Sequence, residues 1–204
     1  MTLTVDDDLL LALGREAQDL LFRNARTANT FTDEPVDEEQ VRAIHELVRL
    51  APTALNAQPL RTLLVRSDAA RMRLLAHVSD GNRAKTATAP LVAVLAADTE
   101  FHENLPELYP RRPKAREWFT DPAYREAQAK FNATLQIGYF LIGVRAAGLA
   151  AGPMAGFDNA GVDREFFPDG RHRSLLLVNI GRPGPDAWDE RLPRLGFDET
   201  VWTI

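Results

Sequence analysis

The sequence predicts an α+β domain, a small sheet packed by a helical layer. Two short apolar runs, Pro90–Ala97 and Ser174–Ile180, have the length of strands, and Leu-Val-Ala-Val-Leu in the first suggests burial on both faces. Apolar residues elsewhere recur at helical spacing. The element order is helix, helix, strand, helix, strand, long helix, helix, strand, tail, which lacks the regular βαβ alternation of a doubly wound sheet. With 204 residues there is room for one domain, read here as 1–204.

The first helix is expected from Asp6, with Leu9, Leu10, Leu13, Ala17, Leu20 and Leu21 on one face, and it ends before the polar turn Arg26–Thr30. The second opens at Asp37, where Gln40 completes a capping-box pattern. Val41, Ile44, Leu47, Val48 and Ala51 form its stripe and Pro52 closes it. A short strand, Thr62–Arg66, and a small helix, Asp68–Val78, precede the buried strand Pro90–Ala97.

Residues 98–122 are aromatic, basic and proline-bearing, the composition of a lid-like loop with short helical pieces; the lid as a whole spans about 98–125. A long helix follows from Ala123 to Gly148, and then a short one, Asn159–Phe167, with Asp158 as its N-cap. Gly181-Arg182-Pro183-Gly184-Pro185 breaks the last strand, and Arg191–Ile204 forms an edge strand or an arm.

Composition excludes several chemistries. Cysteine is absent, which removes disulfides, thiol nucleophiles and cysteine-ligated metals. The net charge of −5 is not that of a nucleic-acid binder. The most apolar stretch, Ile137–Ala151, is too short to span a membrane and contains Arg145. Asp6, Asp7 and Asp8 argue against a secretory leader, so a cytoplasmic protein is expected. The four histidines lack metal-ligand spacing, and neither nucleotide-binding glycine motif nor G-x-S-x-G occurs.

Three polar clusters stand at element boundaries: Arg26-Thr27-Ala28-Asn29, Pro52-Thr53-Ala54-Leu55-Asn56-Ala57-Gln58-Pro59, and Gly152-Pro153-Met154-Ala155-Gly156. Arg191-Leu192-Pro193-Arg194 is a fourth. Arginine at a helix exit can fork onto a phosphate, Asn and Gln offer donors and acceptors to the edge of a heterocycle, and a Gly/Pro turn exposes backbone N–H groups. Each alone is more often a solvated helix end or a loop-closing turn.

In their order these clusters resemble the nitroreductase family of flavoproteins, over nearly the whole chain. The Asn56-x-Gln58-Pro59 loop is the most specific part of the resemblance. Gly81–Thr86, Trp118-Phe119-Thr120, Gly152–Asp158 and Arg191–Leu195 look like its malonic semialdehyde reductase branch. The resemblance implies a small mixed sheet, FMN as cofactor, NADPH or NADH as donor, no metal, and a homodimer whose long central helix packs on its symmetry mate. It implies that Arg26 and Arg191 hold the phosphate, that Thr27 supports the phosphate or ribityl chain, and that Asn29, Asn56 and Gln58 meet the ring. It also implies that Pro153, Met154, Ala155 and Gly156 come from the other subunit, the last two offering backbone N–H groups to a flavin whose N5 carries the hydride. Two departures stand out: Asn29 replaces a second basic residue common in the family, and Ala155 replaces a common Glu.

The function implied is reduction of a small aldehyde, malonic semialdehyde to 3-hydroxypropanoate. Alternatives are a broad reductase of nitroaromatics or quinones, a flavin-binding protein without turnover, and a structural dimeric domain. A carboxylate-bearing substrate calls for a cation near the flavin, and Arg111, Arg112, Lys114, Arg116 and Arg125, interleaved with Tyr109, Trp118 and Phe119, are the lid candidates. The competing reading is a solvated basic loop with its aromatics in the core.

Overall fold

The computed structural model describes residues 11–204. Within them the first helix, α1, is Arg15–Gln18, and it widens into a π-helical turn over Asp19–Arg23. Leu9 and Leu10 of the expected stripe lie outside the described residues. Leu13 is not helical, because Gly14 stands in extended backbone at the N-cap. Helix α2 (Glu38–Val48) starts after Asp37 as expected, but no capping side-chain bond forms. Gln40 instead donates to the Ala147 carbonyl (3.3 Å), a tertiary acceptor that displaces the local box.

Four strands, β1 (Leu60–Val65), β2 (Leu91–Asp98), β3 (Ala150–Met154) and β4 (His172–Gly181), form one sheet in the order β1-β2-β4-β3. Every pairing among them is antiparallel, so the mixed sheet that the resemblance implies is not the one found within this chain. All of β2 is buried, as its continuous apolar run predicts. Leu91, Ala93 and Leu95 point to one core with Ile44 of α2. Val92 and Val94 point to a second, built from α3 (Asp68–Leu75), Phe157 and α7 (Asn159–Phe166). Asp158 does precede α7, without a side-chain cap.

Two elements escape the sequence reading. Helix α4 (Asp80–Thr88) follows Ser79 and was hidden by its polar composition and Gly81. Strand β3 occupies what reads as a Gly/Pro turn; an edge strand tolerates Pro153, since its missing N–H is not needed for a ladder.

The long helix α6 (Pro122–Ala146) follows α5 (Leu105–Leu108) and is capped by the Asp121 carboxylate on the Ala123 N–H (3.0 Å). Gly148, in left-handed backbone (φ +72°), follows it. α6 crosses α2 closely at Gly143: a Cβ there would stand 2.2 Å from Val48 Cγ1. Phe131, Leu135 and Tyr139, four residues apart, are exposed on its outer side. No helix among the described residues is long and apolar enough to cross a membrane.

The segment expected as a lid is largely anchored. Phe101, Leu105, Ala115 and Phe119 are buried with Ala57, Ala129 and Ala133 in a third core, and Phe101 meets Phe119 edge to face at 5.0 Å. Phe119 therefore belongs to the core and not to a lid, whereas Trp118 is exposed. Arg125 is consumed by structure: it donates to the Thr99 and Phe119 carbonyls and pairs with Glu100 at 2.7 Å. Beyond Arg191 the tail forms only the short helix α8 (Phe197–Thr200), an exposed arm and not an edge strand.

Asp98, 1% exposed, ties β1 and the residue just before β4 to the end of β2. It accepts from Arg171 through both oxygens (2.8 and 3.0 Å) and from Arg61 (2.8 Å). Burial alone would raise its pKa, but the Arg171 and Arg61 guanidiniums and the Glu100 N–H outweigh it and hold the carboxylate below its ordinary range. A depressed carboxylate contributes stability that is complete above its unfolded pKa, about 3.9, and is lost as pH falls through the folded value. Asp98→Asn should therefore lower urea stability at neutral pH by about 3 kcal/mol, and the gap to wild type should shrink as the pH drops below that range.

Candidate functional site

The π-helical turn delivers the chain into Arg26–Asn29, and two neighbours fix that turn. The Ala28 N–H donates to the Ala151 carbonyl of β3 (3.0 Å), and the Asn29 N–H donates to Ala187 (3.0 Å). Gly152 makes this approach possible: a Cβ there would lie 2.7 Å from the Ala28 carbonyl oxygen. The returning segment adds side-chain contacts. Arg26 Nη1 donates to the Asp189 carbonyl (3.1 Å), and Asn29 Nδ2 to the Asp189 carboxylate (2.8 Å). Arg191 Nη2 donates to the carbonyls of Arg23 and Ala25, the latter at 3.1 Å.

Helix α4 backs the same edge. Asn82, Lys85 and Thr86 share one of its faces. Asn82 Nδ2 donates to the Gly156 carbonyl (3.2 Å), and Thr86 Oγ1 contacts Met154 Sδ (3.4 Å). Lys85 Nζ reaches Asn29 Oδ1 (3.4 Å). A cation from α4 thus stands beside position 29. Spacing along a helix after Ser79 is the signal that would have found it. Among the described residues no carboxylate lies within ion-pair distance of Arg26, Lys85 or Arg191.

The Asn56 loop is built differently. Leu55, Asn56 and Gln58 all have positive φ (56°, 54° and 44°), which costs non-glycine residues roughly 1–2 kcal/mol each. Side-chain anchors hold it: Asn132 Oδ1 accepts from the Ala54 N–H (2.7 Å), Gln136 Oε1 from Leu60 (2.9 Å) and Thr53 Oγ1 from Gln58 (3.1 Å). Asn132 and Gln136 are buried polar residues of α6, one turn apart. Asn56 Nδ2 donates to the Leu108 carbonyl (3.0 Å) and its Oδ1 accepts from Gln58 Nε2 (2.9 Å). The Arg61 that pairs with Asp98 also donates to the Gln58 carbonyl (2.9 Å).

A sequence profile of the nitroreductase family matches residues 22–182. The chain belongs to the nitroreductase family. It is 61% identical, over 95% of its length and 99% of the relative's, to a Streptomyces coelicolor protein provisionally named an NADH dehydrogenase/NAD(P)H nitroreductase. Its fold matches a Staphylococcus epidermidis protein provisionally named an NAD(P)H:FMN oxidoreductase, with a TM-score of 0.82 at 17% identity, covering 95% and 98% of the two chains. It also matches a provisionally named nitroreductase from Exiguobacterium sibiricum crystallised with FMN, with a TM-score of 0.79 at 19% identity over 91% and 96%.

In this nitroreductase-family chain, Arg26, Asn29, Arg191 and the strand that carries Pro153 and Met154 come together within one subunit. Thr27 and Ala155 are exposed beside them, and Gly156 is held by Asn82. That corrects the expectation that the Pro153–Gly156 segment reaches the Arg26 turn from a partner. Asn56 and Gln58 are the residues left apart. Their loop enters β1, at the edge opposite β3, and three interstrand spacings separate the edges by about 14 Å. Sequence order names the loops but not the sheet edges they reach. Gly152→Ala should push the Arg26–Asn29 turn off β3 and cost about 1–3 kcal/mol in urea unfolding.

Proposed function

We propose that this chain is an FMN-dependent oxidoreductase that uses NAD(P)H to reduce a small aldehyde, malonic semialdehyde to 3-hydroxypropanoate. The observation that carries the cofactor is the convergence of Arg26, Arg191 and Lys85 with Asn29 at one sheet edge, without a pairing carboxylate among the described residues. A phosphomonoester needs the two guanidiniums, and a heterocycle with alternating donors and acceptors needs the amide and the lysine, so the residues fit FMN. Bound there, FMN supplies the hydride chemistry for which the chain has no side chain of its own.

Each residue's task follows from its place. Arg26 and Arg191 hold the phosphate, and Thr27 lies exposed next to them for the phosphate or the ribityl chain. Asn29, backed by Lys85, faces the ring edge. Met154 is fixed by Thr86, which sets where the Ala155 and Gly156 backbone stands. Asn56 and Gln58 would meet the ring from a second copy of the chain, since their own loop stands at the opposite edge of the sheet. The exposed stripe Phe131, Leu135 and Tyr139 on α6 is the face on which a homodimer would close.

The substrate reading rests on the turn after Leu108. Asn56 is bonded to the Leu108 carbonyl, so the chain from Tyr109 onward leaves the Asn56 loop directly. Arg111, Arg112, Lys114 and Arg116 are exposed there, with no side-chain hydrogen bond or ion pair to any described residue. They are free to meet a carboxylate. A second reading, broad reduction of nitroaromatics or quinones, is favoured by the name of the 61% identical relative.

The protein should purify with FMN, and Arg26→Ala or Arg191→Ala should weaken FMN binding about tenfold or more. Unchanged affinity in both would remove the phosphate assignment. One alanine replacement among Arg111, Arg112, Lys114 and Arg116 should raise KM for the semialdehyde while sparing an uncharged aldehyde. Equal effects on both aldehydes, or a nitroaromatic turned over far faster than either, would favour the second reading. Absence of NAD(P)H oxidation with any acceptor would leave a flavin binder without turnover.

A further inference from the structure

Beside Arg26 and Arg191 stands a third guanidinium that the reading above does not use. Arg145 lies in the last turn of α6, half-buried, and Nη1 makes its single side-chain hydrogen bond to a described residue, to the Leu21 carbonyl at 3.4 Å. Arg145 and Arg26 line the same cavity of about 220 Å³, walled by Leu20, Ala151, Pro183 and Trp188. Arg191 is anchored on the carbonyls of Arg23 and Ala25, one turn beyond Leu21. The exit of the π-helical turn therefore carries two arginines and leads into a third.

Among the described residues no Asp or Glu lies within ion-pair distance of any of the three. Each guanidinium has five N–H donors, and these arginines spend few of them on protein acceptors. Burial, and then the neighbouring Arg191 charge, hold the Arg145 guanidinium below its ordinary range, so an arriving anion would relieve it.

We propose that Arg145 is a third arginine of the phosphate site and that it makes the chain select a phosphorylated flavin over an unphosphorylated one. The proposal rests on the FMN reading above. Its chemistry is charge-assisted donation to a phosphomonoester dianion, to which a planar guanidinium fork is matched. The competing role is structural: an arginine on the last carbonyls of a helix also favours the helix dipole. A structural role would affect every ligand alike.

The test is the ratio of riboflavin to FMN dissociation constants, measured by flavin fluorescence on refilled apoprotein for wild type, Arg145→Gln and Arg145→Lys. Because it is a ratio within each protein, a partial folding defect does not mimic the result. Arg145→Gln should weaken FMN roughly tenfold or more and leave riboflavin unchanged, while Arg145→Lys retains part of the preference. Inorganic phosphate should raise the Tm of wild-type apoprotein more than that of Arg145→Gln. Equal weakening of both flavins, or FMN affinity unchanged in Arg145→Gln, overturns the role of Arg145 alone. Wild-type protein that binds neither flavin, or both equally, overturns the FMN reading and this inference with it.

Discussion

Burial of β2 on both faces is the constraint from which the site's layout follows. A strand with Leu91, Ala93 and Leu95 on one side and Val92 and Val94 on the other is stable only with neighbours and two packed layers. β1 and β4 take its two edges, β3 takes the far side of β4, and among the described residues the sheet ends there. The loop before β1 and the segment around β3 then occupy opposite edges. Arg26, Asn29, Lys85 and Arg191 gather at the β3 edge and the Asn56–Gln58 loop stays at the other.

Helix α6 links these edges to the core. Its apolar residues Ile137, Phe140 and Val144 pack on one face of the sheet. Its two buried amides, Asn132 and Gln136, hold the ends of a loop with three left-handed residues. Strain of that kind persists only where the surroundings over-determine the backbone, and here they do so next to Asn56. At its other end α6 places Arg145 beside Arg26. One helix thus supports the amide loop of one edge and the cationic turn of the other. The Asp98 network fixes the remaining freedom, because Arg61 joins that buried carboxylate to the Gln58 carbonyl.

Much of this was legible in the sequence. The run Pro90–Ala97 announced a two-sided strand, and the long helix was placed within a few residues of its true ends. The order of the polar clusters carried the family. What was not legible depended on tertiary choices. Gly152-Pro153 reads as a turn, yet an edge strand accepts both residues. Asp80–Thr88 carries too little apolar periodicity to announce a helix, so Lys85 was missed although it stands where Asn29 lacks a charge. Gln40 completes a capping pattern, but a carbonyl from a distant segment claimed it. The aromatic run near Phe119 looked like a lid and packs in the core, since Ala57, Ala129 and Ala133 leave room for its ring.

The proposed site takes its arginines from one chain and its Asn56 loop from another. Co-refolding Arg26→Ala protein with Asn56→Ala protein tests it directly. In a symmetric dimer each hybrid then contains one site with both sets intact and one with both altered. FMN binding and NAD(P)H oxidation should return in the mixture to roughly a quarter of the wild-type level, above either variant alone. A mixture that stays at the average of the two variants, with hybrid dimers shown to be present, would contradict the shared site.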